Sequence, residues 1–131
     1  MASTVVVDAW AVLALLDDEP AASRVERVLI DHDAVMSWIN LGEVFYTAIR
    51  RRGEERALKA MRTVRKRVKV EEINSALVLA ASRIKAGNRL SYADAFCVAT
   101  AQRHRAPLYT GDPEILAFAG DLKVVDLRSA L

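Results

Sequence analysis

With 131 residues, of which 53% are hydrophobic and 27% are charged, the chain is too apolar for an intrinsically disordered protein, and we expect one globular domain over residues 1–131. No apolar stretch is long enough to cross a bilayer and no signal-type segment opens the chain, which predicts a cytoplasmic protein without membrane association. The net charge is only +2, and one cysteine with two histidines excludes an internal disulfide and a zinc-type ligand set, so any metal must have oxygen ligands.

The first half of the chain is predicted to alternate between strands and helices. Short β-branched runs indicate strands, and apolar residues at intervals of three and four indicate helices. Pro20 suits the first position of a helix, Asn40 suits an N-cap and Gly53 suits a helix end. The predicted elements are a strand at Thr4–Val7, helices at Ala9–Leu16 and Ala21–Ile30, a strand at Ala34–Ser37, and helices from Asn40 to Gly53 and from Glu54 to Lys66.

The second half continues the alternation. Asn74 and Ser91 suit the N-caps of two helices, which Gly87 and Asn88 separate. Strands that alternate with helices favour a parallel sheet covered by helices on both faces. The predicted elements are a strand at Val68–Ile73, helices from Asn74 to Ala86 and from Ser91 to Arg103, a strand at Pro107–Thr110, a short helix at Pro113–Ala119 and a strand at Lys123–Leu127.

Three acids are each the only charge in an otherwise apolar segment. Asp8 lies in residues 5–16, Glu43 in residues 34–49 and Asp94 in residues 92–101. Asp8 ends a predicted strand, and Glu43 and Asp94 are expected in the first turns of helices that begin at the same edge of the sheet. Asp112, which follows the Pro107–Thr110 strand, is expected at that edge too. Open parallel sheets place their functional sites outside the carboxyl ends of the strands.

Four carboxylates at one edge would repel one another, and a hard divalent cation such as Mg²⁺ or Mn²⁺ relieves that repulsion. Such an ion activates water and stabilises charge on a phosphodiester, so the cluster predicts hydrolysis of a nucleic-acid backbone. Each acid also has a structural explanation, because Asp8 and Asp112 suit N-caps and the other two resemble members of capping boxes, Glu43 after Asn40 and Asp94 after Ser91. The joint pattern favours metal binding, with which capping is compatible.

Four motifs in order extend over nearly the whole chain and resemble those of PIN-domain nucleases of the VapC toxin type. The motifs are Val6-Val7-Asp8, Leu41-Gly42-Glu43-Val44, Ser91-Tyr92-Ala93-Asp94-Ala95 and Thr110-Gly111-Asp112.

The resemblance implies a three-layer α/β/α sandwich with a short, mainly parallel central sheet. It also implies a Mg²⁺- or Mn²⁺-dependent endoribonuclease that is the toxin of a type II toxin-antitoxin module. A homodimer is implied as well, together with inhibition by a VapB-type antitoxin whose C-terminal segment covers the active-site groove.

Carried over residue by residue, the resemblance implies that the catalytic and metal-binding residues are the acidic quartet Asp8, Glu43, Asp94 and Asp112. Thr110 matches a frequent hydroxyl residue of the family and is expected to orient Asp112 or water. Two positions depart from the family pattern: Trp10, where many relatives have a small hydroxyl residue, and Cys97, where some have another acid. We interpret Cys97 as a small buried thiol of a helix core.

Positive charge is concentrated between Arg50 and Lys69. This segment has ten basic and two acidic residues, for a charge of +8, whereas the rest of the chain has 9 basic and 15 acidic residues, for a charge of −6. Such a segment suits RNA phosphates, although a solvated helix face or a surface for the antitoxin gives the same pattern. The candidate RNA-binding residues are Arg50, Arg51, Arg52, Arg56, Lys59, Arg62, Arg65, Lys66 and Lys69.

Two other functions fit parts of the pattern. A phosphotransfer domain of the receiver or haloacid-dehalogenase kind also has Asp at strand ends around Mg²⁺, but its first strand would need a second nearby acid, and Ala9 and Trp10 follow Asp8. A catalytically silent PIN-like module would use the basic segment to bind RNA or protein. The presence of all four acids argues against that alternative.

Overall fold

The computed structural model describes residues 2–128, so residue 1 and residues 129–131 of the predicted domain lie outside the described part. No helix within residues 2–128 is long and apolar enough to cross a membrane. In chain order, the elements are β1 (Thr4–Val7), α1 (Ala9–Leu16), α2 (Ala22–Asp31), β2 (Asp33–Ser37), α3 (Trp38–Arg52), α4 (Glu54–Arg67), β3 (Lys69–Glu71), α5 (Ser75–Gly87), α6 (Tyr92–His104), β4 (Leu108–Thr110), α7 (Pro113–Leu116) and β5 (Val124–Asp126).

The five strands form one sheet in the order β3-β2-β1-β4-β5, and every neighbouring pair is parallel. Successive side chains of central strand β1 point to opposite faces. Val5 and Val7 pack in a core with residues of α1 to α4, whereas Val6 packs in a second core with residues of α6 and α7. Both faces are therefore covered by helices, and the predicted three-layer α/β/α sandwich is confirmed.

Several helix boundaries follow the predicted caps. The side chains of Asn74 and Ser91 accept the backbone N–H groups of Leu77 and Asp94 at 2.8 and 3.1 Å. Gly53 separates α3 from α4 with a φ of 85°, a conformation that L side chains rarely adopt. Each of these boundaries depends on residues that are close in the sequence, so the sequence alone is sufficient to predict it.

The prediction that Asn40 caps α3 is wrong. The N-cap is Ser37, whose hydroxyl accepts the Asn40 N–H at 3.3 Å and donates to the Asn40 side-chain oxygen at 2.8 Å. Asn40 lies buried inside the helix and donates its side-chain N–H to the carbonyl of Ala93 in α6, at 2.9 Å. The helix therefore begins three residues earlier than expected, and Asn40 holds α3 against α6.

Other boundaries also differ from the prediction. Pro20 does not begin a helix, because the chain turns through Asp18, which has a φ of 51°, and α2 begins only at Ala22. Val68 ends α4 by donating its N–H to the carbonyl of Val64, so β3 begins at Lys69. Strands β3 and β5 and helix α7 are all shorter than predicted.

Candidate active site

The four acids of the predicted quartet meet at the carboxyl edge of the sheet. Asp8 directly follows β1 and Asp112 follows its parallel neighbour β4, while Asp94 lies in the first turn of α6. Glu43 lies in the second turn of α3 and not in the first, because the helix begins at Trp38. Burial raises the pKa of Asp8, Glu43 and Asp94, and the negative charge of Asp112 raises each further, as expected for neighbouring carboxylates.

Asp8 is held rigidly in the interior, with only 2% of its surface exposed. One carboxylate oxygen accepts the N–H of Ala11 at 2.9 Å and thereby caps α1, and the other accepts the hydroxyl of Thr110. Burial raises the pKa of Asp8 to about 7, although these two hydrogen bonds favour the charged form. The negative charges of Asp112 and Glu43 raise the pKa further. The fold therefore both buries Asp8 and uses its carboxylate as the N-cap of α1.

Asp94 and Glu43 share this electrostatic environment. Burial raises the pKa of Asp94 to about 7, with further contributions from Asp112 and Glu43 that exceed the opposing hydrogen bond with Ser91. Glu43 is half-buried, and burial raises its pKa, followed by the charge of Asp112. No ion pair formed within residues 2–128 involves any of the four acids.

Thr110 connects two members of the quartet. Its hydroxyl donates to Asp8 and accepts the backbone N–H of Asp112 at 2.9 Å. Asp112 in turn caps α7, since its side chain accepts the N–H of Glu114 at 2.8 Å. A single buried hydroxyl therefore fixes the spacing between the ends of β1 and β4.

Glu114 is a further carboxylate beside the quartet, which the sequence alone does not predict. Single oxygen atoms of Asp94, Asp112 and Glu114 all lie within 4.8 Å of one another. Two metal–oxygen bonds of about 2.1–2.4 Å span such a separation. The local signal was the position of Glu114 in the first turn of α7, two residues after Asp112, but its approach to α6 depends on the tertiary fold.

Trp10 also borders the site. A Cβ atom added to buried Gly111 would collide with the indole ring of Trp10, so glycine is required between Thr110 and Asp112 for this ring to pack there. The position that departs from the family pattern thus packs directly against the β4–α7 turn. Cys97 is buried in α6 as expected, and burial raises the pKa of its thiol.

The candidate RNA-binding residues lie on the exposed surfaces of α3, α4 and β3, and some of them interact with other side chains. Arg51 and Arg52 both form ion pairs with Asp17 at the end of α1. The guanidinium of Arg50 lies 5.0 Å from the ring centre of Tyr46, and that of Arg65 lies 4.9 Å from the ring centre of Trp38. The exposed candidates on α4 are Arg56, Lys59, Arg62, Arg65 and Lys66, and Lys69 is the exposed first residue of β3.

The quartet has the donor set of a hard-metal site. All of its side-chain donors are oxygen atoms, which Mg²⁺ and Mn²⁺ prefer. Burial and mutual repulsion oppose the ionised form of these carboxylates, so a divalent cation bound there would relieve an unfavourable charge distribution. The residues present therefore fit such an ion.

Known proteins resemble this chain in sequence and in fold. The PIN domain family model matches residues 5–121. VapBC-1 from nontypeable Haemophilus influenzae has a TM-score of 0.74 at 22% identity, covering 96% of this chain and 99% of that chain. VapC20 from Mycobacterium tuberculosis, a sarcin–ricin loop cleaving toxin, has a TM-score of 0.75 at 23% identity, covering 92% and 98%. DNA-bound VapBC from Salmonella typhimurium has a TM-score of 0.76 at 15% identity, covering 97% and 99%. No curated protein matches the sequence significantly.

The raised pKa values predict how the free energy of unfolding of the metal-free chain depends on pH. A carboxyl group with a folded-state pKa of about 7 and an unfolded-state value near 3.8 binds more protons in the folded state, so stability falls as the pH rises from about 4 to 7. Asp94→Asn removes this penalty and should raise the free energy of unfolding at pH 8 by about 2 kcal/mol or more. The gain should be smaller at pH 5 and should vanish only below about pH 4, where the carboxyl is protonated in both states.

Denaturant unfolding in EDTA at the two pH values measures this effect. Asp121→Asn, which removes an exposed carboxylate before β5, is the matched control and should change stability little at either pH. An Asp94→Asn variant that is less stable than the parent chain at pH 8 would contradict the electrostatic description of the site.

Proposed function

Because the chain belongs to the PIN domain family, we propose that it is a Mg²⁺- or Mn²⁺-dependent endoribonuclease, the toxin of a type II toxin-antitoxin module. The observation that carries this proposal is the meeting of four carboxylates, without an ion-pair partner in residues 2–128, at the carboxyl edge of a parallel sheet. RNA as the substrate is supported by the similar fold of VapC20, a sarcin–ricin loop cleaving toxin.

In this proposal, Asp8, Glu43, Asp94 and Asp112 hold the divalent ion. When bound, such an ion supplies an activated water and stabilises negative charge on the attacking and leaving oxygens of a phosphodiester. Thr110 keeps Asp8 and the backbone of Asp112 in a fixed relation through its two hydrogen bonds. The burial of Asp8 and Asp94 excludes water from their inner sides, which strengthens the electrostatic attraction of these groups for a cation.

The basic surface supplies affinity for the RNA backbone in the same proposal. Its nine members are Arg50, Arg51, Arg52, Arg56, Lys59, Arg62, Arg65, Lys66 and Lys69. The five on α4 lie on the exposed side of a helix that buries only Ala57 and Val64. Contacts between such side chains and phosphates position the strand without reading its sequence.

The proposal also includes a VapB-type antitoxin and a homodimer as protein partners. The folds of VapBC from Haemophilus influenzae and Salmonella typhimurium support the antitoxin as a partner. Ile39 and Tyr46 of α3 and Leu58 of α4 are exposed by 38%, 49% and 44%. Since α3 and α4 pack together, these side chains offer apolar contacts on neighbouring helices.

Cleavage should require both the metal and the quartet. Purified chain, free of any antitoxin, is incubated with total RNA in Mg²⁺, in Mn²⁺ and in EDTA, and the products are resolved by denaturing electrophoresis. Asp8→Asn and Asp94→Asn should each lower the cleavage rate by at least about a hundredfold, because each removes a metal-binding charge while keeping the side-chain shape. The control variant Asp121→Asn should cleave like the parent chain.

Intact RNA in both metals, from a sample that circular dichroism shows to be folded, would refute the enzymatic function. Cleavage that survives both Asn substitutions would instead show that neither carboxylate holds the catalytic metal.

The contribution of α4 is measured by the salt dependence of RNA binding in EDTA. Arg56, Lys59 and Arg62 are exposed, and their joint replacement by Gln should reduce the slope of log affinity against log salt by about 2, since each phosphate contact contributes about 0.7 for single strands. The joint replacement of Arg83, Lys85 and Arg89 by Gln removes equal charge elsewhere and is the control. Equal slopes for the two triple variants would exclude α4 from the RNA-binding surface.

A further inference from the structure

A pocket of about 330 Å³ lies on the α1 side of the acidic quartet. It opens between the end of α1, the turn into α2, the end of α3 and the segment after β5. Its size is at the lower end of the range for pockets that bind small organic groups. The residues that matter for its chemistry are Trp10, Leu13, Pro20, Arg24, Arg51 and Arg128, and we call it the Trp10 pocket.

The Trp10 pocket adjoins the acidic site through its wall. Trp10 is two residues from Asp8, and its ring packs against Gly111, between Thr110 and Asp112. Another part of the lining lies after β5, at Arg128, and there Arg24 donates to the carbonyl of neighbouring Leu127. The indole ring of Trp10 therefore lines the pocket and also lies against the turn that carries Thr110 and Asp112.

The lining combines an apolar surface with three guanidinium groups. Trp10, Leu13 and Pro20 contribute apolar surface, and three guanidinium groups and the carboxylate of Glu19 contribute charge. Arg51 and Arg128 form ion pairs with Asp17 and Asp126, which leaves donors on each planar group, whereas no carboxylate within residues 2–128 forms an ion pair with Arg24.

An aromatic ring beside arginines has the chemistry that binds a nucleotide of a single strand. Aromatic rings stack on bases of any sequence, and guanidinium groups bind phosphate through paired donors. An acidic peptide would use the arginines but would have no specific need for the indole ring.

We propose that the Trp10 pocket holds one nucleotide of the RNA strand, next to the scissile phosphate, with its base against Trp10 and its phosphate facing Arg24 and Arg128. This assignment rests on the proposed ribonuclease function and extends it to substrate positioning. Trp10 and Arg128 are therefore positioning residues of this chain.

Tryptophan fluorescence tests where the RNA lies. The chain has two tryptophans, so Trp38→Phe leaves Trp10 as the single reporter. In EDTA, a short single-stranded RNA should quench Trp10 fluorescence saturably, with the same dissociation constant that fluorescence anisotropy of labelled RNA gives. Fluorescence that stays unchanged while the RNA is fully bound would overturn the proposal.

Substitutions and abasic RNA test what Trp10 contacts. Trp10→Leu should weaken RNA binding by roughly fivefold to a hundredfold, the value of one aromatic–base stack. Removing the base at one position beside the cleavage site should weaken binding to the parent chain similarly, and should have no further effect on Trp10→Leu. Independent, multiplicative losses would show that Trp10 acts only through the fold and would overturn the proposal.

Arg128→Gln keeps the test valid if Trp10→Leu does not fold, because Arg128 is exposed and outside every helix and strand. It should weaken binding several-fold, whereas Arg83→Gln, the same change on α5, should not. Equal affinities for these two variants would overturn the phosphate contact.

Three further outcomes separate this proposal from the nuclease function. RNA cleavage without any response of Trp10 refutes the pocket and leaves the nuclease. If RNA quenches Trp10 fluorescence, and the losses from Trp10→Leu and from base removal are not independent, but no RNA is cleaved in Mg²⁺ or Mn²⁺, the pocket is supported and hydrolysis is refuted. Trp10 fluorescence that responds to protein dilution and not to RNA identifies the pocket as a contact between two copies of the chain, which also overturns the proposal.

Discussion

The burial and mutual repulsion of carboxylates at one edge of the sheet are the constraint on which the rest of the structure depends. Asp8 and Asp94 are only 2% and 6% exposed, and burial raises the pKa of each to about 7. An arrangement that opposes ionisation in this way destabilises the chain near neutral pH, so the scaffold must hold the acids in place by other contacts. A bound divalent cation would reverse the sign of this contribution.

The scaffold holds the acids through groups that also serve the fold. Asp8 caps α1 and accepts the hydroxyl of Thr110, which in turn accepts the backbone N–H of Asp112. Asp112 caps α7, and Asn40 holds α3 against α6, so that Glu43 and Asp94 are carried by helices in contact. For Asp8 and Asp112, the capping hydrogen bonds are thus among the contacts that place the carboxylates at the site, so a capping role does not exclude metal binding.

The sequence predicts those parts of this arrangement that depend on local signals. The alternation of strands and helices and caps such as Asn74 and Ser91 depend on residues that are close in the sequence, so they can be predicted from it. The acids that are the only charges in apolar segments are likewise visible in the sequence, and they indicate the candidate metal ligands. Asn40 was misplaced because Ser37, three residues earlier, can cap the same helix, and only the contact with Ala93 shows where the Asn40 side chain is used. Glu114 and the packing of Trp10 on Gly111 depend on how α7 and α1 approach the β4 end, which no local pattern contains.

The central claim is that the acidic quartet is a metal site, and calorimetric titration of the chain with Mn²⁺ tests it most directly. At pH 6.5, measured in two buffers of different ionisation enthalpy, binding should release between about one and two protons per event, because Asp8 and Asp94 are both more than half protonated there. Asp94→Asn should weaken binding and reduce this release. Heats that show no Mn²⁺ binding, or binding that neither releases protons nor changes in Asp94→Asn, would contradict the claim.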